Sequence, residues 1–243
     1  MKCSRLLGLA IMVIFALSVV ASATASAEEP TNQPSFLPEG TATNPVKFTA
    51  TSGKGKLEMV GNTKAFECEK DTSTGEVTSL KLGKFDILFE KCTAKEGIIT
   101  ATCTGLNDKE GSGSILVLGT FHLRYLLPSS ELRAAIILLI EHVHYTCEAF
   151  GVKKLLLVLG CVGGEITPTN MLTKTLEALF KQSKGINTIT EVDKENSSTE
   201  MEKCILMTKE GSEVKEVQSG EETHEVITGF EQGGKAVEAL IMA

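Results

Sequence analysis

The segment NMLTKTLEALFKQ, Asn170 to Gln182, supports two incompatible structures. Leu172, Leu176, Leu179 and Phe180 recur at helical spacing, Asn170 is suited to cap a helix and Gly185 to end one. Leu176, Ala178 and Phe180 also alternate with Glu177 and Leu179, as one face of a strand would. Propensity alone favours the helix. The choice decides whether the chain is all-β or mixed.

Outward from this segment the pattern is strand-like. VKFTATS (46–52), GEVTSLKL (75–82), FDILFEKC (85–92) and GIITATC (97–103) are short alternating runs broken by Gly, Lys, Asp and Asn. SILVLGTFHLRYLL (114–127) is a longer one, and VEALIMA (237–243) closes the chain. Period-2 alternation in short pieces between turn signals points to an antiparallel all-β fold, a β-sandwich or partly open β-barrel with short strands. With no Trp and two Tyr, its core must rest on Leu, Ile, Val and Phe. The all-β domain is expected over 47–243, with room for two packed sub-halves. Glu28 to Val46 precedes it, polar and holding four of the six prolines, and reads as a flexible leader without structure of its own.

Met1 to Ala27 reads as a signal peptide. Lys2 and Arg5 precede the uncharged run LGLAIMVIFALSVV, and small residues end in Ala-x-Ala at Ala25–Ala27. A membrane anchor is the competing reading, but Glu28 and Glu29 follow where a basic stop-transfer cluster would lie. Cleavage after Ala27 leaves a mature chain from Glu28 to Ala243. It lowers the basic count from 24 to 22 against 31 acids, a net charge of −9. Such a surface is a poor match for nucleic acid or anionic lipid. Cys3 leaves with the signal. Cys68, Cys92, Cys103, Cys147, Cys161 and Cys204 remain, an even set that predicts disulfides in an exported chain. No C-x-x-C pair suggests structural zinc instead.

FECEKDTSTGEVTSLKLGKFDILFEKCTAKEGIITATC (66–103), YTCEAF around Cys147 and VGGEITPTNMLTKTLEALFKQSKGIN (162–187) together resemble an uncharacterised family of exported, cysteine-containing all-β proteins found as many paralogues in some actinobacteria. The resemblance implies a strand ending in a glycine turn around Phe180–Lys184, and so decides the opening segment for β. It implies no activity. It places Cys68, Cys92, Cys103 and Cys147 on family positions and leaves Cys161 and Cys204 as additions. The pairing it implies is Cys92–Cys103, Cys68–Cys147 and Cys161–Cys204.

IEHVHYTCEAF (140–150) raises the one sharp chemical possibility. With Cys147 inward, alternation puts Val143 and Tyr145 inward, His142 and His144 outward, and Glu141 inward. In TFHLRYLL (120–127), His122 and Arg124 take the outward face. If PSSELR (128–133) turns the chain into a hairpin, His122 approaches His142 across the strands. His122, His142 and His144 then form a surface site for zinc or copper. The competing reading is a polar strand face, and Arg124 beside His122 argues for it.

No G-x-S-x-G, H-E-x-x-H or phosphate-binding loop is present, so no catalytic residue is assigned. EGSGS (110–114) reads as a turn. Glu165 and Asn170 in CVGGEITPTN are weaker binding candidates beside a glycine pair that suits close strand approach. EVDKENSSTEMEK (191–203) reads as a solvated loop and His224 as a surface residue. The expectation is a secreted, non-enzymatic binding or structural module with an extracellular or cell-envelope ligand. An extracellular metal binder using the histidines, or a hydrolase with an unrecognised site, are the alternatives.

Overall fold

The structure is a computed structural model that describes residues 34–61, 65–106, 112–126, 133–193, 201–211 and 216–243. The expected signal peptide over 1–27, the first part of the expected leader (28–33), Glu110 and Gly111, residues 128–132 and residues 194–200 lie outside the described residues. Among the described residues every regular element is a strand, antiparallel to its neighbours.

Apart from a short first strand, β1 (Ser35–Leu37), the chain runs up and down as eight staves. Stave one joins β2 (Val46–Ser52) to β3 (Gly55–Met59), and stave two joins β4 (Ala65–Cys68) to β5 (Lys70–Val77). Stave three joins β6 (Leu82–Glu90) to β7 (Thr93–Glu96), and stave four joins β8 (Ile99–Gly105) to β9 (Ile115–Leu126). Staves five and six are the long strands β10 (Arg133–Ala149) and β11 (Val152–Thr167). Stave seven begins as β12 (Leu176–Phe180). An insertion then carries β13 (Gln182–Ser183), β14 (Ile186–Asn187), β15 (Glu191–Asp193) and β16 (Met201–Lys203) before the stave resumes as β17 (Leu206–Glu210). Stave eight is β18 (Glu216–Gln232), followed by β19 (Lys235–Ala236) and β20 (Leu240–Met242).

Each stave pairs with the next, and β18 closes the ring by pairing with both parts of stave one, Val226 opposite Thr51 and Glu221 opposite Leu57. The sheet is therefore a closed eight-stranded barrel, and closure removes the free edges an open sheet would expose. The all-β antiparallel expectation holds, but β10, β11 and β18 run to 16 or 17 residues, where short strands were expected. They cross both halves of the barrel, and one buried apolar cluster runs through it from Phe36 to Tyr145.

The opening segment is a strand. Leu176, Ala178 and Phe180 are buried and Glu177 is exposed, so alternation overrides helix propensity once a barrel wall offers partners on both sides. Asn170 caps no helix. Its side chain exchanges two hydrogen bonds with the backbone of Ala243.

Curvature in the upper half, the end built from β2, β5, β6, β9 and β12, comes from glycine set against phenylalanine. Phe48 lies opposite Gly75, and Phe121 opposite Gly83. In each case the ring occupies the space a Cβ on the glycine would fill. Gly119 beneath Phe85 and Gly164 beneath Phe180 repeat the arrangement. Glycine kinks covered by cross-strand aromatics let a sheet curl tightly while keeping its interior filled.

Two features of the leader and the acidic loop differ from expectation. Part of the leader is β1, which pairs with β20 and buries Phe36 against Phe230, ring centroids 5.8 Å apart. The ends of 191–203 are the paired strands β15 and β16, with Val192 and Asp193 buried. An Asp193 oxygen accepts the Tyr125 amide at 2.8 Å, and Val192 packs with Leu126, Ala135 and Ile137 on the barrel's outer wall. Arg124 is consequently buried.

All six cysteines among the described residues are bonded, as Cys68–Cys92, Cys103–Cys147 and Cys161–Cys204. The third pair agrees with the sequence reading and the first two do not. Cys68, Cys92, Cys103 and Cys147 form one inward row across staves two to five. Within it, the Cys103 amide donates to the Cys92 carbonyl at 2.9 Å. Hydrogen-bonded antiparallel pairs hold their Cα atoms about 5.5 Å apart, and the alternate pairs come closer. The bonded pairs are the close ones, each with Cα atoms 4.0 Å apart. Cys68 and Cys147 stand at the ends of the row, about three strand spacings apart.

Candidate functional site

The histidine cluster does not assemble. Leu126 opposite Arg133 sets the hairpin register, which puts His122 opposite Ile137 and several residues along β10 from His142. His122 Nδ1 lies 3.2 Å from Arg124 Nη2. A bulge between Ile140 and Val143 leaves both of those residues inward and turns Glu141 and His142 to solvent, so Glu141 is exposed where strict alternation placed it inside. His142 and His144 remain neighbours, ring centroids 6.4 Å apart. No group of three potential metal ligands converges among the described residues.

The weaker candidates are structural. Glu165 pairs with Arg133 at 3.3 Å, and Gly163 and Gly164 face Ile189 and Phe180 at close approach. His224 is exposed, its Nε2 3.2 Å from Glu177.

The polar chemistry lies inside the barrel. Ser219, Glu221, Thr223 and Glu225 share the inward face of β18, continuing the alternation of Ile227. Ser52 stands opposite both Asp71 on one side and Glu225 on the other, so three adjacent staves contribute one polar row at the barrel's waist. Ser52 Oγ donates to Asp71 Oδ2. Asp71 is 1 % exposed, Thr223 5 % and Glu225 6 %. Asp71 Oδ1, Thr223 Oγ1 and Glu225 Oε2 have no hydrogen-bond partner.

Burial sets the protonation of this row. It pushes Glu225 up to about 9, helped by the adjacent Asp71 charge and by the bond between the two carboxyls. Asp71 is also raised by burial, against the opposing effect of hydrogen bonds from Ser52 and Glu225. Two carboxyls in contact inside a protein hold a proton between them, because both cannot ionise in a low-dielectric site. Glu221 is raised to about 7, by burial first and then by Asp71.

A cavity lies on each side of the waist. The upper one is about 30 Å³, lined by Phe48, Phe121, Phe180 and Glu225 among others. The lower one is about 90 Å³ and largely apolar, walled by Phe66, Phe89, Leu138, the Cys68–Cys92 bridge and Tyr145, with Glu221 in its lining. Tyr145 is 3 % exposed and its hydroxyl has no partner. Burial, and then the charge of Glu210, raise its ionisation further out of reach. Lys56 borders this cavity, but its side chain turns outward beside Glu67 and Glu222 and pairs with Glu58.

The sequence reading missed Asp71, Glu221, Thr223 and Glu225. Counting back by twos from Ile227 reaches all three β18 residues, but charge in an acidic stretch reads as solvent-facing. Comparisons with protein-family models, curated proteins and solved structures returned no match to this chain.

Proposed function

We propose that this chain is an exported, non-enzymatic binding module that holds a small, mostly apolar ligand inside its barrel. The observation that carries the reading is the lower cavity, an apolar chamber with unpaired polar groups around it. An eight-stranded barrel has an interior wide enough to be filled by side chains or to hold one small ligand. Apolar pockets with a few convergent polar groups are the usual form of a small-molecule site.

Binding is favoured over hydrolysis by space. The Asp71–Glu225 pair has the shared proton of a catalytic dyad, but the chamber beside Glu225 has about the volume of one water in the liquid. That leaves no room for a scissile bond. Export is supported by the three disulfides, which are typical of extracellular proteins, by the signal-like segment Met1–Ala27 and by the family resemblance. No helix among the described residues is long and apolar enough to cross a membrane.

The test uses methyl-labelled, oxidised mature chain exposed to xenon and to n-butanol. Interior methyls of Leu57, Val117, Leu138 and Leu206 are expected to shift, with outward Leu116 and Leu118 unmoved. Shifts confined to the outward methyls, or none, contradict the reading.

A further inference from the structure

The interior carries negative charge without a matching cation. Asp71, Glu221 and Glu225 all turn inward at or beside the waist. Among the described residues, Lys56 is the only basic residue lining either cavity beside the waist, and it is engaged by Glu58. Buried charge is retained where something pairs with it. A bound metal is a poor match, since no three such groups converge among the described residues. Beyond the proton held between Asp71 and Glu225, the remaining partner is an organic cation with an apolar body.

We propose that the lower cavity binds a small aliphatic amine, its ammonium against the Glu221 carboxylate and its hydrocarbon between Phe66, Leu138 and the Cys68–Cys92 bridge. This rests on the interior-ligand reading and names its chemistry. Independent of the acids, the unpartnered Tyr145 hydroxyl lines the same chamber, and the unpartnered Thr223 hydroxyl stands between Glu221 and Glu225 on the inward stripe. These neutral groups accept from an ammonium or its bound water. The size is set by the cavity. At about 90 Å³ it is smaller than the ~150 Å³ chamber that takes benzene, so the ligand has on the order of five non-hydrogen atoms. So few atoms limit affinity to roughly the micromolar-to-millimolar range.

The groups facing Glu221 are Asp71 and Glu225 across the waist and Thr223 beside it on β18, with Tyr145 on the same cavity wall next to Glu210, while Lys56 turns outward. Of these, Glu221 changes charge nearest neutrality, and an alkylammonium stays charged throughout. Amine binding therefore strengthens as pH rises from 5 to 8.

The experiment compares n-butylamine with n-butanol by the same methyl shifts, at pH 5 to 8, in wild type, Glu221→Gln and, as an outward control, Glu222→Gln. Expected are at least tenfold tighter amine than alcohol binding at pH 8, a loss of that preference at pH 5 and in Glu221→Gln, and its survival in Glu222→Gln. Equal amine and alcohol binding at both pH values overturns the amine proposal and leaves the interior-ligand reading standing. No interior shift with either probe overturns both. Should Glu221→Gln fail to fold, the wild-type pH comparison decides alone.

Discussion

Replacing Glu225 by Gln is expected to stabilise the protein at neutral pH, although it alters a buried, hydrogen-bonded residue. In the fold, Glu225 keeps its proton up to about pH 9, because burial and the Asp71 charge oppose ionisation. In the unfolded chain a glutamate loses its proton near pH 4.3. Between those limits the folded state binds one more proton than the unfolded state, so unfolding free energy falls by about 1.4 kcal/mol per pH unit. Stability from this raised acid is fully present below the unfolded value and is lost as pH climbs towards 9. At pH 7 the accumulated loss is about 3–4 kcal/mol. Gln keeps an N–H donor for Asp71 and never ionises. Allowing about 1 kcal/mol for a weaker hydrogen bond, the variant gains about 2–3 kcal/mol at pH 7 and nothing at pH 4.5. For a chain of this length that is roughly 5–10 °C in Tm. Urea unfolding of both oxidised proteins at pH 4.5, 6, 7 and 8 reads it directly. A variant that is destabilised equally at every pH refutes the reasoning.

Four further outcomes follow from the geometry. Gly83→Ala drives a Cβ into the Phe121 ring and the Glu76 carbonyl, and should cost about 1–3 kcal/mol by thermal or urea unfolding. Phe180→Ala should cost about 3–5 kcal/mol and exposed Glu177→Ala less than about 0.5, a contrast in circular-dichroism melts that a helix over 170–182 would not give. Non-reducing peptide mapping should recover Cys68–Cys92, Cys103–Cys147 and Cys161–Cys204, and replacing Cys103 and Cys147 by Ala, which opens a 44-residue separation, should cost about 4 kcal/mol. With His122 held apart from His142 and His144, chelator treatment should leave the thermal midpoint unchanged.

Local pattern carried the fold class. Alternation in VKFTATS and FDILFEKC translates directly into β2 and β6, and the parity of Leu176, Ala178 and Phe180 into β12. Closure was not legible, because it depends on β18, near the end of the chain, pairing with β2 and β3 near its start. The histidine surface failed on a non-local detail, the hairpin register that sets His122 opposite Ile137. The bulge at Glu141–His142 turns Glu141 outward and leaves His142 and His144 on the outward face that alternation gave them. The disulfide row failed differently. The four cysteines do lie together, but which neighbours bond depends on which pairs are hydrogen-bonded, a property of the assembled ladder. The polar waist was written in the parity of SGEETHEVI (219–227) and hidden by its charge.

The inward carboxyls, Asp71 and Glu225 buried and Glu221 half-buried, support both the ligand reading and the amine, so the most direct measurement is a ¹³C titration of all three in the oxidised mature chain. The account predicts a Glu225 carboxyl still protonated at pH 7 and a Glu221 midpoint near 7. All three titrating together between pH 4 and 5, as solvent-exposed carboxyls do, would contradict a polar waist enclosed by the barrel.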